Sequence, residues 1–242
     1  MKTRLDQLLI EKKYALNIES ARAIIGAGEV LVDEVVADKP GQLICTDALL
    51  RVKVKCPFVS RGGLKLEKGL SFFQIAPAGK ICIDIGASSG GFTDCLLKHD
   101  AAKVYAVDVA YGQLAWKIRQ DKRVVVFERF NARKITRADI SENIDLAVID
   151  ASFISITKLI PPLLPLFDET VSILALIKPQ FELPRDQIEP GGVVRDAGLH
   201  LDSIKRIENF IELSGLTSKG VTESPLLGPK GNKEFLILIT DR

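Results

Sequence analysis

Four polar residues stand in contexts that could bring acid–base chemistry to one edge of a fold. Lys178 ends the apolar run Leu174-Ala-Leu-Ile-Lys178, and Asp150 ends Leu146-Ala-Val-Ile-Asp150. Lys65 follows Ser60-Arg-Gly-Gly-Leu, and Glu234 follows Gly228-Pro-Lys-Gly-Asn-Lys. A lone lysine or glutamate is ordinarily a surface residue. In open α/β sheets, however, ligands bind beyond the C-terminal ends of the strands, so charges at such ends are candidates for chemistry. Two amines and two carboxylates in one place can hold and move a proton. A lysine ordinarily titrates near 10.4, and tuning it to about 7–8 requires destabilising the ammonium by about 3.5–4.5 kcal/mol. Desolvation and a neighbouring cation both act in that direction.

Upstream lies Ile83-Asp-Ile-Gly-Ala-Ser-Ser-Gly-Gly-Phe92, a glycine-rich turn directly after an apolar run. Its spacing, Asp84-x-Gly86-x-x-x-Gly90, differs from the G-x-G-x-x-G of nicotinamide-binding turns. An acid at the strand end suits a cationic amine better than a pyrophosphate. About twenty residues on, Asp108 ends Val104-Tyr-Ala-Val-Asp108, where a carboxylate can accept both hydroxyls of an adenosine ribose. Turn and acid together point to S-adenosylmethionine, an adenosine with a cationic amino-acid tail. The candidate contacts are Asp84, Gly86, Ser88, Gly90, Gly91, Phe92 and Asp108, with Asp150 at a neighbouring strand end.

The elements that must position these residues read as an α/β fold. Strands are expected at 80–85, 103–107, 123–127, 145–149, 171–177 and 235–240, with a weaker one at 219–222. Helical patterns at 92–98, 112–119, 154–166 and 200–213 alternate with them, the signature of a mostly parallel sheet covered on both faces. Seven strands with a late return strand suit a doubly wound sheet. Residues 180–195, holding Pro184, Pro190 and Gly191-Gly192, read as a long loop of the lid type. Residues 1–58 read as a separate small α+β module. Leu5, Leu8, Leu9 and Tyr14 have helical spacing, and Asn17-Ile-Glu-Ser20 starts a second helix. Strand-like Val30-Leu-Val-Asp33, a turn at Lys39-Pro40-Gly41 and a strand near Leu49 follow. Residues 59–78 read as a linker carrying Lys65 into the large domain, 79–242.

The four charged residues and the glycine turn resemble the FtsJ-type 2′-O-ribose methyltransferases, which use a Lys-Asp-Lys-Glu tetrad beside S-adenosylmethionine. That resemblance implies a Rossmann-like class I methyltransferase sheet. It implies Lys178 as the group activating the 2′-hydroxyl and Asp150 as its orienting acid. Lys65 and Glu234 would complete the network and position the ribose, and Asn131, after the third strand, would contact adenine. Residues 1–58, with Arg4-Leu-Asp6, Ser20-x-Arg22 and Gly28-x-Val30, resemble the S4 RNA-binding domain. By that resemblance Lys2, Arg4, Lys12, Lys13 and Arg22 would face RNA, with Arg61 adding to them from the basic stretch beyond. Such a domain joined through Val59-Ser-Arg-Gly-Gly-Leu-Lys65 to an FtsJ-like domain closely resembles the TlyA family. The windows Asp108-Val-Ala-Tyr-Gly-Gln-Leu114, Lys178-Pro-Gln-Phe-Glu182, Gly191-Gly-Val-Val-Arg195 and Gly228-Pro-Lys-Gly-Asn-Lys-Glu234 carry the same resemblance in order. It implies a ribosomal RNA (cytidine-2′-O)-methyltransferase acting on structured RNA or ribosomal subunits.

Competing readings are a non-catalytic RNA-binding or ribosome-assembly factor and a membrane-active cytolysin, since members of the family also carry the label haemolysin. The intact tetrad and cofactor turn disfavour the first. The longest apolar stretch, 171–177, is too short to span a bilayer, and no strongly amphipathic anchor appears. Asp150-Ala-Ser-Phe153 stands where base-amino methyltransferases carry Asn/Asp-Pro-Pro-aromatic, and no Pro-Cys nucleophile of the cytosine C5 enzymes exists. Four cysteines without C-x-x-C spacing and two histidines suggest reduced thiols, no metal site and a cytoplasmic protein. Net charge is only +2, but six basic residues between Arg51 and Lys68 face one acid, Glu67. Nine between Lys103 and Arg137 face Asp108, Asp121 and Glu128. Both excesses fit contact with a polyanion.

Overall fold

Burial of three leucines on one side of a short helix organises the first 57 residues. In the computed structural model, which describes residues 2–53 and 56–241, the chain divides into two compact units, Met1–Pro57 and Phe58–Arg242. Lys55, one of the basic residues noted above, lies outside the described residues. The first unit runs β1 (Lys2–Arg4), α1 (Leu5–Glu11), α2 (Ile18–Gly26), β2 (Val30–Val32), β3 (Val35–Val36), β4 (Leu43–Cys45) and β5 (Leu50–Val52). Leu5, Leu8 and Leu9 of α1 pack with Ala21 and Ile25 of α2 and with Val30 of β2, all essentially inaccessible to water. The expected helix start at Asn17 is a capping box. Asn17 Oδ1 accepts from the Ser20 N–H at 2.8 Å, and the Ser20 hydroxyl oxygen accepts from the Asn17 N–H at 3.1 Å. Strands β1 and β4 pair antiparallel, and β2 lies between β3 and β5. Tyr14 lies beyond α1 and reaches the Leu50 carbonyl with its hydroxyl at 3.2 Å.

The second unit runs α3 (Gly62–Phe72), β6 (Ile81–Ile85), α4 (Gly91–Lys98), β7 (Lys103–Val107), α5 (Trp116–Arg119), β8 (Val124–Phe127), β9 (Leu146–Ile149), α6 (Ile160–Leu163), β10 (Ser172–Ile177), α7 (Pro179–Glu182), α8 (Ala197–Leu213), β11 (Thr217–Glu223) and β12 (Phe235–Thr240). The sheet order is β8-β7-β6-β9-β10-β12-β11. Strands β6 to β10 are parallel, and β12 returns antiparallel to β10. Strands β9 and β10 are almost wholly buried, as expected for apolar runs with both sheet faces covered. The order reverses between β6 and β9, and that switch point is where an open α/β sheet forms a crevice.

Three expected elements differ. Residues 62–72, read as linker, form α3, which packs against α4. Gly63 there is a close-approach residue: a Cβ on it would stand 2.3 Å from the Phe58 ring. The expected helix at 154–166 is broken into Ile156–Lys158, α6 and Leu164–Leu166, because Pro161, Pro162 and Pro165 lack the amide protons a continuous helix needs. Of 112–119 only α5 is helical; Gly112 has φ +72°. The loop 180–195 contains the end of α7 and the turn Arg185–Gln187. It is tied down where Asn232 accepts from the Val194 N–H at 2.8 Å and donates to the Gly192 carbonyl at 2.8 Å.

Candidate active site

The sheet brings the four charged residues to one crevice. Asp150 follows β9, and its N–H donates to the Ile85 carbonyl, seating it beside the turn that leaves β6. Lys178 follows β10 and Glu234 precedes β12; the register Ile177↔Phe235 makes them neighbours across an antiparallel ladder. Lys65 comes from the first turns of α3. Lys178 Nζ lies 2.6 Å from Asp150 Oδ1, an ion pair without hydrogen-bond alignment, and donates to Ser152 Oγ at 3.1 Å. Lys65 Nζ donates to Glu234 Oε2 at 2.5 Å and stands 3.9 Å from Asp150 Oδ2. Lys65, Lys178 and Glu234 are 9%, 6% and 2% exposed. Two cations matched by two anions keep this nearly dry cluster neutral, which is what permits its burial.

Two cavities of about 300 and about 340 Å³ meet along Gly86, Ser88, Asp150 and Ser152. The first is lined by the tetrad, Arg61, Gly91 and Phe92. The second is lined by Asp108, Val109, Phe130, Asn131 and Phe153. The N-terminal turns of α3 and α4 border the first cavity. The Gly63 and Leu64 amides of α3 donate to the Ser60 and Arg61 carbonyls, so the start of α4 is the turn that can offer amide protons to an anionic group. Asp108 stands at the junction of two loops: its carboxylate accepts from the Ser88 and Ala110 N–H groups, each at 2.7 Å. Each oxygen keeps a further lone pair for the cavity. Gly86 has φ +87°, and a Cβ there would lie 2.7 Å from the Asp150 carbonyl oxygen, so only glycine allows the two strand ends to meet. This elongated double cavity fits S-adenosylmethionine, with an acceptor carboxylate in one lobe and amide donors in the other.

Some expected contacts lie elsewhere. Asp84 does not line either cavity. It is fully buried; the Thr93 hydroxyl donates to its Oδ2 at 2.6 Å, and its Oδ1 has no partner. Gly90 caps α4 from behind, against Leu114 and Ile118. Asn131 lines the second cavity, but its Oδ1 already accepts from the Arg133 backbone N–H at 3.2 Å. Phe153 carries a signal the sequence hid. It is 91% exposed, holds φ +65°, and sets its ring 5.3 Å from Phe181. An aromatic face held out over the crevice in a conformation that side chains rarely adopt is suited to stacking a base.

Burial pushes the Asp84 carboxyl up to about 7. An unfolded aspartic acid loses its proton near 3.9, so between these values the folded chain holds a proton that the unfolded chain has released. The associated stability is fully present below about pH 4 and is lost as pH rises through about 7. Asp84→Asn keeps an acceptor for Thr93 and cannot ionise. Urea unfolding of the unliganded protein at pH 5 and pH 8 should show the native chain losing about 2–3 kcal/mol more than the variant. Equal losses would remove Asp84 as the cause.

The basic residues divide into engaged and outward-facing sets. In the first unit the Arg4 guanidinium donates to both oxygens of buried Asp6, at 3.0 and 2.7 Å, and Arg22 adds a contact at 3.3 Å. Arg4 holds the Asp6 carboxyl below the usual range. Arg4 and Arg22 thus build the module as well as charge it, whereas Lys2, Lys12 and Lys13 are exposed. Arg61 is exposed at the start of α3. Of the nine basic residues between Lys103 and Arg137, four are engaged within the fold, while Lys117, Lys122, Arg129, Arg133 and Lys134 stay exposed. Lys103 pairs with Glu142, Arg119 with Glu128 and Arg123 with Asp121, and Arg137 donates to the Pro165 and Phe167 carbonyls. As a polyanion surface that stretch is weaker than its charge count.

Comparison with known proteins agrees with this geometry. The FtsJ-like methyltransferase family matches residues 58–240, and the S4 domain matches residues 3–50. The 16S/23S rRNA (cytidine-2′-O)-methyltransferase TlyA of Mycobacterium tuberculosis is 43% identical, over 100% of this chain and 92% of that protein. Hemolysin A of Brachyspira hyodysenteriae is 42% identical, over 96% of this chain and 98% of that protein. A solved structure of a provisionally named hemolysin from Streptococcus thermophilus superposes with a TM-score of 0.77 at 40% identity, covering 99% of this chain and 88% of that one. Among the described residues no helix is long and apolar enough to cross a membrane. An S4 domain ahead of an FtsJ-like domain, with full-length identity above two-fifths, places the chain in the TlyA family of FtsJ-like methyltransferases.

Proposed function

We propose that this protein methylates the ribose 2′-hydroxyl of cytidine in ribosomal RNA, using S-adenosylmethionine. The observation that carries the reading is the Lys178–Asp150 pair at 2.6 Å, flanked by Lys65 and Glu234 in the first cavity, which meets the second at Asp150. When bound, S-adenosylmethionine supplies an electrophilic methyl group. Asp108 would accept hydrogen bonds from its ribose hydroxyls, and the amide groups at the start of α4 would meet its carboxylate. Asp150 and Ser152 hold the Lys178 amine in place. Lys178 Nζ, once it has released a proton to solvent, takes up the proton of the 2′-hydroxyl. Lys65 and Glu234 orient the target ribose, and Phe153 stacks the exposed base. The rRNA cytidine specificity rests on the relative from M. tuberculosis, and the S4 module supplies RNA contacts through Lys2, Lys12 and Lys13, aided by Arg4, Arg22 and Arg61.

Titration calorimetry with S-adenosylmethionine tests the cofactor lobe. Asp108→Ala should raise Kd about ten- to a hundredfold, the loss of one or two hydrogen bonds to a carboxylate. Unchanged affinity would remove Asp108 from the site. Mapping 2′-O-methyl marks on ribosomal RNA from cells with and without this protein tests the function itself. Loss of a cytidine mark without the protein is expected, and an unaltered map contradicts the proposal.

A further inference from the structure

One cluster of ligating side chains takes no part in methyl transfer. Glu67 stands on α3, and Cys95 and His99 stand one turn apart on α4 and at its C-terminal cap. Spacing of i and i+4 puts the last two on one helix face. Glu67 Oε2 lies 2.8 Å from His99 Nε2 and 3.6 Å from Cys95 Sγ, and all three ligating atoms lie within 4.8 Å of one another. In a tetrahedral zinc centre, with bonds of about 2.3 Å to sulfur and about 2.0–2.2 Å to nitrogen and oxygen, neighbouring ligand atoms stand about 3.3–3.6 Å apart. The Glu67–Cys95 side already matches, and the Glu67–His99 side must open by about 0.5 Å to admit the metal. Its sulfur side is closed, since Cys95 is fully buried. Its outer side is open: the His99 and Glu67 side chains are 38% and 44% exposed, leaving room for a water as fourth ligand.

We propose that Glu67, Cys95 and His99 form a zinc-binding site that ties α3 to α4. One thiolate, one imidazole and one carboxylate make the mixed sulfur, nitrogen and oxygen set that suits zinc better than calcium or magnesium. On binding, the Cys95 thiol proton passes to the buffer and the sulfur lone pair forms the metal bond. His99 offers Nε2 with its remaining proton on Nδ1. Glu67 Oε2 exchanges its two hydrogen-bond contacts for the metal, and nothing is oxidised or reduced. The bridge would fix the two helices whose N-terminal turns border the first cavity, two residues from Lys65 on one side and four from Gly91 on the other.

No C-x-x-C or paired-histidine spacing marks such a set, because its third member comes from another helix. Cobalt titration of the full-length reduced protein is the test. One equivalent should be bound with a thiolate-to-cobalt charge-transfer band and tetrahedral d–d bands, and zinc should displace it and raise Tm. Cys95→Ser should remove the charge-transfer band. His99→Gln and Glu67→Gln, at partly exposed positions, keep the test open if Cys95→Ser fails to fold; each should raise the zinc Kd at least about tenfold. Absence of stoichiometric uptake by the native protein overturns the proposal. So does uptake that is unchanged in His99→Gln and Glu67→Gln, which would assign the metal to another cysteine.

Discussion

Lys178→Ala should lower the rate of methyl transfer by about 10²–10⁴-fold, the range expected when a positioned acid–base group is removed. Affinity for S-adenosylmethionine should stay close to native. The reason is geometric: Nζ makes its contacts with Asp150 and Ser152 at the reaction end of the crevice, whereas Asp108 anchors the other lobe. Lys178→Arg should fail as well, because a guanidinium stays protonated and cannot take up the hydroxyl proton. Substantial activity in Lys178→Arg would reassign Lys178 to positioning, with the proton lost to solvent. Single-turnover methylation assays and calorimetry on the same preparations separate these outcomes.

Gly86→Ala should be nearly as damaging, by a different route. The new Cβ would meet the Asp150 carbonyl oxygen at 2.7 Å and its carbon at 3.0 Å, both backbone atoms that cannot swing aside. A left-handed conformation adds about 1–2 kcal/mol for any residue with a Cβ. The strand ends must therefore part, and a displacement of about 1 Å at Asp150 is enough to cost about 10²-fold in rate. Gly79→Ala is the comparison: it has φ +73° but open space around it, so it carries the backbone strain alone. Assays and thermal melts should show both variants less stable, with activity lost only in Gly86→Ala. Full activity in Gly86→Ala would mean that the contact between the turn and Asp150 is not needed.

The parallel strands were readable because burial on both faces demands unbroken apolar runs, as in β9 and β10, and because charged residues end those runs. The adjacency of Lys178 and Glu234 was not readable from periodicity. It depends on the register Ile177↔Phe235 across the antiparallel return strand, so only the family resemblance joined the two in advance. Helix α3 was obscured by its glycines, which resemble linker signals but are required by neighbours: Phe58 at Gly63 and Leu174 at Gly69. The pairing of Arg4 and Arg22 was hidden for another reason. An aspartate on a short helix reads as solvent-facing, yet Asp6 is fully buried and draws both guanidiniums inward. Phe153 was visible only as a residue excluding other chemistries, since a positive φ at an exposed aromatic leaves no trace in composition.

The claim that the tetrad methylates a ribose hydroxyl is tested most directly by the chemical identity of the product. Purified protein, ribosomal subunits lacking the mark and isotopically labelled S-adenosylmethionine can be combined, and the RNA digested to nucleosides for mass spectrometry. The tetrad predicts label in 2′-O-methylcytidine with the native protein and, over the same reaction time, at least about a hundredfold less with Lys178→Ala. Label in a base-methylated nucleoside, or equal 2′-O-methylcytidine from native and Lys178→Ala protein, would contradict it.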